Sequence, residues 1–284
     1  MNQNDFILTL ACPDRRGIVH HVSGLLLAQN GNILDAQQFG DEQTGQFFLR
    51  VHFALDDPSE VKALRSALKA SEVGFDLQWQ IHDMHKKSRL LIMVSKQGHC
   101  LNDLLFRTQS GQLPAEIAAV VSNHRDFEAL TQSYGVPFHH LPVTPETKQA
   151  QEHQLLELIN TQNIDLVVLA RYMQILSTDL CRALSGKAIN IHHSFLPSFK
   201  GARPYHQAHA RGVKIIGATA HYVTEALDEG PIIEQDIERV DHAMTSEDLS
   251  QVGSDVESLV LSRAVRSHVE HRILLNGTRT VVFR

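Results

Sequence analysis

The chain reads as an α/β protein of two domains: a small ferredoxin-like βαββαβ module, then a larger, mostly parallel, doubly wound (Rossmann-like) sheet. Three observations predict this. Its 284 residues exceed the commonest single-domain size of about 100–150, and a hydrophobic content of 43% suffices for two cores. The stretch Asp83-Met84-His85-Lys86-Lys87-Ser88 is polar and carries no apolar period, as a linker would. Beyond it the texture changes to short, fully apolar strands separated by helical segments, the pattern of a parallel sheet covered on both faces. The expected division is therefore residues 1–84 and residues 85–284.

In the first domain, Phe6 to Ala11 is apolar and β-prone, and Pro13-Asp14-Arg15-Arg16-Gly17 turns the chain into a helix. The apolar positions Ile18, Val22, Leu25 and Leu26 follow helical spacing, and Asn30-Gly31 ends the run. Two strands, Asn32 to Phe39 and Phe47 to Leu55, precede an amphipathic helix from Glu60 to Lys69 and a strand from Gly74 to His82. This is the split β-α-β order. In the second domain the predicted strands are Leu90–Val94, Ile117–Val121, Ile164–Ala170, Ala188–Ile191 and Ile215–Val223. Helices are predicted over Leu101–Gln109, Arg125–Ser133, Glu146–Asn160 and Thr178–Leu184. A last helix runs from Thr245 to about Leu275, interrupted near Gly253, and a strand Thr280–Phe283 closes the chain.

Composition narrows the functional classes. A net charge of −6 argues against a nucleic-acid backbone as the main partner, since phosphate contacts need a basic surface. Cys12, Cys100 and Cys181 are isolated, with no CxxC pair, which suits a reducing cytoplasm and neither a disulfide framework nor a structural zinc. The N-terminus lacks a basic segment before its apolar run, and no stretch approaches the roughly 18 apolar residues of a membrane span. The 18 histidines include the pairs His139-His140 and His192-His193 and the residues His206 and His209, but no HExxH and no zinc-ligand spacing, so no metal is expected.

The chemistry-bearing residues cluster late. In the strand around Asn190, positions i and i+2 share a face, so Asn190 and His192 should be neighbours. They lie where such a strand ends, and parallel sheets bind ligands at the carboxyl ends of their strands. A carboxylate, Asp228, arrives from a later loop. An amide donor, a titratable ring and a carboxylate suit a carbonyl reaction through a tetrahedral oxyanion.

Three segments in order, Asn190-Ile191-His192, Leu196-Pro197-Ser198-Phe199-Lys200-Gly201, and His221-Tyr222-Val223-Thr224 leading into Leu227-Asp228-Glu229-Gly230-Pro231, resemble the catalytic half of the 10-formyltetrahydrofolate-dependent formyltransferase superfamily. Asp165 to Ser177 looks like its strand and folate-contacting loop, which extends the likeness over about residues 88–284. Three departures are similar to formyltetrahydrofolate deformylases rather than to transferases. Phe6 to Ile18 resembles the opening of an ACT domain. Ser95 to Leu105 has one glycine, beside His99 and Cys100, where a transferase would carry a glycine-rich phosphate loop. His193 stands where transferases carry proline.

The resemblance implies hydrolysis of 10-formyltetrahydrofolate to formate and tetrahydrofolate, in one-carbon and purine metabolism, with no cofactor. It implies catalysis by Asn190, His192 and Asp228, with Asn190 as oxyanion donor, His192 as second donor or proton carrier, and Asp228 as base or orienting group. Substrate would be lined by Arg171, Met173, Gln174, Ile175, Leu176, His139, His193, Gly201 and His221. It also implies regulation of the small domain by glycine or methionine around Asp14, Arg15, Gly17, Ile18, Asn30 and Asn32, and assembly as a homo-oligomer. The competing readings are formyl transfer to glycinamide ribonucleotide, a sugar nucleotide or methionyl-tRNA, and a non-catalytic amino-acid sensor.

Overall fold

The computed structural model describes residues 4–197 and 204–284. The chain divides into two compact units, one running up to Lys87 and including His271–Arg284, the other spanning Ser88–Glu270.

The first unit contains β1 (Asp5–Pro13), α1 (Ile18–Leu27), β2 (Gly31–Asp41), β3 (Gln46–Leu55), α2 (Val61–Phe75) and β4 (Gln78–Asp83). Its antiparallel sheet has the order β2-β3-β1-β4. Ile18, Val22 and Leu26 of α1 and Leu64 and Leu68 of α2 are buried with Leu8, Leu10, Val51 and Phe53 of the sheet, as the helical and strand periods require. The second helix outruns its predicted end, passing through Gly74 to a left-handed Asp76. Arg15 supplies the reason: its guanidinium donates to the Gly74 carbonyl at 2.8 Å and lies over the Phe75 ring at 4.8 Å, satisfying a helix-end carbonyl.

The second unit contains β5 (Ser88–Val94), α3 (His99–Gln109), β6 (Ala115–Ser122), α4 (Glu128–Ser133), β7 (Phe138–His140), α5 (Lys148–Thr161) and β8 (Leu166–Leu169). It continues through α6 (Thr178–Ala183), β9 (Ala188–His192), α7 (Pro204–Ala210), β10 (Ile215–Tyr222), β11 (Ile232–Arg239) and α8 (Ser246–Val269). Its seven-stranded sheet has the order β11-β10-β9-β8-β5-β6-β7. Pairing is parallel from β7 to β9 and antiparallel at β9–β10 and β10–β11. Leu90 to Val94 and Leu166 to Val168 are buried throughout, because both sheet faces are covered.

Two expectations about the C-terminal region are corrected. Helix α8 is continuous through Gly253. The glycine is there for close packing: a Cβ would sit 2.1 Å from the Tyr205 ring. The helix stops at Val269, and β12 (Ile273–Asn276) pairs with β13 (Arg279–Val282) as a hairpin. That hairpin belongs with the first unit, so the second unit ends at Glu270 and not at residue 284. Leu274 and Phe283 are buried with Phe48, and Asn276 and Arg279 donate to Asp41 Oδ2 at 2.7 and 2.8 Å. A hairpin with so few inward residues is marginal alone and needs a surface to cover it. Strands β7 and β11 had no counterpart among the predicted elements.

Candidate active site

Register places the polar residues. Strands β9 and β10 pair with Asn190 opposite His221 and His192 opposite Thr219, so Asn190 and His221 share a face as direct cross-strand neighbours. The Nδ1–H of His221 donates to the Tyr222 carbonyl at 2.9 Å, and its Nε2 accepts from the Asn190 amide at 3.3 Å. The ring therefore fixes which way the amide faces. His221 is buried by Gly230, whose backbone crosses so closely that a Cβ would lie 1.7 Å from the Tyr222 oxygen and 3.2 Å from His221 Nδ1. No side chain fits there.

Asp228 completes the group from a left-handed position, φ 56°. Its Oδ2 is 3.3 Å from His192 Nδ1, and its Oδ1 is 3.7 Å from His221 Nε2. Burial alone would raise this carboxyl, but the hydrogen bond it accepts from His192 Nδ1–H holds it well below the usual carboxylate range. Asp228 is thus an anion at neutral pH. His192 is 4% exposed, and its Nε2 has no partner among the described residues.

These four residues line one end of a cavity of about 320 Å³. Its other walls include Met173, Gln174, Ile175, Leu176, Val223 and Leu227. Met173 and Ile175 are 58% and 63% exposed, an unusual state for apolar residues and one that a flat ring between them would change. The sequence had assigned Met173, Gln174, Ile175, Leu176, His193 and His221 to this pocket, and all six line it. Gly201 lies outside the described residues. His139 is a correction: it sits on β7, at the far edge of the sheet, with β8, β5 and β6 between it and β9, and it does not line the cavity.

Arg171 lines the cavity but turns its charge away from it. It adopts φ 65° and is 7% exposed. Nε and Nη2 donate to Gln97 Oε1, and Nε is 3.4 Å from Glu257 Oε2. Glu257, 1% exposed on α8, also accepts from His99 at 2.7 Å and from the Tyr205 hydroxyl at 2.6 Å. Although burial opposes its charge, these donors hold its carboxyl below the ordinary range. The ligand atoms of His99, Cys100 and Glu257 lie within 4.8 Å of one another. Both Glu257 oxygens are nevertheless spent on donors, and burial pushes the Cys100 thiol well up, so the set suits an ion pair better than a metal.

Sequence reasoning missed this network. A signal was available, since Leu249, Gly253, Glu257, Leu261 and Val265 form an i, i+4 row on α8, and a carboxylate in an apolar row needs partners. It also missed Ser95, whose hydroxyl donates to Asn123 Oδ1 at 2.8 Å and accepts from the Met173 N–H at 3.0 Å, tying the cavity loop to β5. Thr219 does the same for the segment after β9, donating to the Ser194 carbonyl at 2.9 Å and accepting from the Leu196 N–H at 3.0 Å.

In the first unit, the six residues read as an effector site do not converge within the chain. Asp14, Arg15, Gly17 and Ile18 follow β1, which ends opposite Gln46. Asn30 and Asn32 flank the start of β2, which pairs with Leu55. The two groups thus lie at opposite ends of β3, about 30 Å apart at some 3.3 Å per residue. Asn30 donates to Glu60 at 2.9 Å, well away from the Arg15 contact with Gly74.

Comparison with known proteins agrees with this architecture. Residues 88–265 match the family model described as formyl transferase, and residues 6–69 match the ACT domain. A formyltetrahydrofolate deformylase from Corynebacterium sp. (strain P-1) is 53% identical over 279 residues, covering 98% of each chain. One from Synechocystis sp. is 50% identical over 280 residues, covering 97% of each. The crystal structure of a formyltetrahydrofolate deformylase from Burkholderia mallei superposes with a TM-score of 0.95 at 52% identity, covering 99% of this chain and 100% of that one.

Proposed function

This chain belongs to the formyltetrahydrofolate deformylase family, and on that premise we propose that it hydrolyses 10-formyltetrahydrofolate to formate and tetrahydrofolate. The observation that carries the reading is the convergence of Asn190, His192, His221 and Asp228 on one end of a slot wide enough for a ring system. Water attacks the formyl carbon, the new C–O bond forms, and the carbonyl oxygen takes up negative charge. The second N–H of Asn190, whose first is committed to His221, donates to that oxygen. One such donor is worth about a hundred- to a thousand-fold in rate.

Asp228, ionised and 3.3 Å from His192 Nδ1, holds water and the His192 ring in place. His192, oriented through Nδ1, uses Nε2 to take a proton from the attacking water and return it to N10 as the C–N10 bond breaks. Formate leaves as an anion, its own proton going to solvent. The pterin lies between Met173 and Ile175. This places the enzyme where formate is released for purine synthesis and the formylated folate pool is drawn down. Purified protein given 10-formyltetrahydrofolate and no amine acceptor should release formate at a steady rate. Release only after an acceptor is added would make it a transferase.

For the first unit we infer binding of a small amino acid, glycine or methionine, at one of the two sheet ends described above. The match of residues 6–69 to the ACT domain supports this.

A further inference from the structure

Beside the folate slot lies a second cavity of about 400 Å³. The two share Arg171, Met173, Gln174 and His193. The mechanism above uses none of the residues peculiar to the second cavity: Ser95, Lys96, Gln97, Asn123, His124, Tyr205, His206 and Ser250. Its lining among the described residues includes no carboxylate, while Lys96 supplies a cation and His124 and His206 supply imidazoles.

Its amides have a fixed sense. The Asn123 oxygen accepts from Ser95 at 2.8 Å, and the Gln97 oxygen accepts from Arg171, so each amide keeps its N–H groups for another partner. Arg171, more than nine-tenths buried, lines the chamber as well. Amide donors and a lysine, with no carboxylate among the described lining, select a small oxyanion.

We propose that this chamber receives the formate product, which leaves through it while tetrahydrofolate still fills the slot. The proposal rests on the hydrolytic reading. His193 follows His192 in the chain and lines both cavities, so it stands in the shared wall. Burial, with the nearby Arg171 charge, pushes this imidazole down to about 3, so it is neutral at physiological pH. A neutral ring there does not hold formate back by charge, and Lys96 draws it onward.

The test is equilibrium dialysis of labelled formate against the full chain saturated with tetrahydrofolate, a measurement that needs no turnover. One formate should bind per chain. Lys96→Gln, at an exposed position, should weaken that binding about tenfold while leaving the affinity for tetrahydrofolate unchanged. Formate should also inhibit wild-type hydrolysis without competing with 10-formyltetrahydrofolate. Equal formate binding by wild type, Lys96→Gln and His124→Gln would overturn the proposal, as would competition between formate and the folate. Inorganic phosphate displacing formate at much lower concentration would overturn it in favour of a phosphate site. A chain that binds formate as described but releases none from 10-formyltetrahydrofolate would instead contradict the hydrolytic reading.

Discussion

The two units answer the same kind of sequence signal in opposite ways. In the second, Asn190, His192, His221 and Asp228 come from β9, β10 and a later loop and meet within 3.7 Å. In the first, Asp14–Ile18 and Asn30–Asn32 are closer along the chain yet end at opposite ends of β3. The difference lies in register. Strands β9 and β10 are antiparallel neighbours whose pairing sets Asn190 directly opposite His221, and the loop after β10 turns back over that pair and delivers Asp228 to it. In the first unit helix α1 carries the chain from one end of the sheet to the other between the two groups, so proximity in sequence promises nothing. Convergence is thus a property of strand register and loop path before it is a property of the residues.

The largest effect should come from breaking the convergent site. Asp228→Asn keeps the shape and removes the charge that orients His192. It should cut kcat by about a thousand-fold or more, with tetrahydrofolate affinity within a few-fold of wild type by fluorescence titration. Asn190→Ala should cost about a hundred- to a thousand-fold in kcat. Additive losses in the double variant would show that the two act separately and not as one group.

Gly230→Ala should come next. The added methyl cannot occupy space 1.7 Å from the Tyr222 oxygen, so the loop carrying Asp228 must shift. Turnover should fall at least about tenfold and stability by about 1–3 kcal/mol, as for an overpacked buried site. Wild-type kinetics would mean that the loop relaxes without disturbing His221.

Acid titration compares the units more gently. His193 in the second and His82 in the first are both pushed down to about 3, in each case chiefly by burial. Between about pH 6.5 and 3 the unfolded chain binds protons at these rings that the native chain refuses, so stability falls as pH is lowered through that window. Asp228 acts in the same direction at lower pH, its contribution being lost only as pH falls through its depressed value. Urea unfolding at pH 7.5 and 5 should show the drop, and His82→Gln should flatten the slope. An unchanged slope would place the titration elsewhere.

The smallest effect is expected in the first unit. Neither Arg15→Ala nor Asn30→Ala should alter turnover without effector. Only one of them should abolish a response to glycine or methionine, read by calorimetry on the full chain. Loss in both would show that the two sheet ends meet in one site across copies.

Much of this was legible in the sequence, for physical reasons. The βαββαβ order and the buried parallel strands follow from apolar period, and the Asn190/His192 pair follows from strand alternation. His221 was legible as pocket lining but not as the group that fixes Asn190, because cross-strand register is not written in one strand. Glu257, Tyr205 and Ser95 were missed because their roles depend on packing between α8, α7 and β5. The tail hairpin differs from the expected helix because Ile273 extends the i, i+4 row of Val265 and Val269, and over the four residues Ile273 to Asn276 helix and strand periods fit equally well.

Single turnover in ¹⁸O-enriched water tests the central claim most directly, because it asks whether water is the nucleophile at the Asn190–His192–Asp228 rim. The wild-type protein should release formate carrying one ¹⁸O, with the rate collapsing in Asp228→Asn. Unlabelled formate, or labelled formate formed equally fast by that variant, would contradict it.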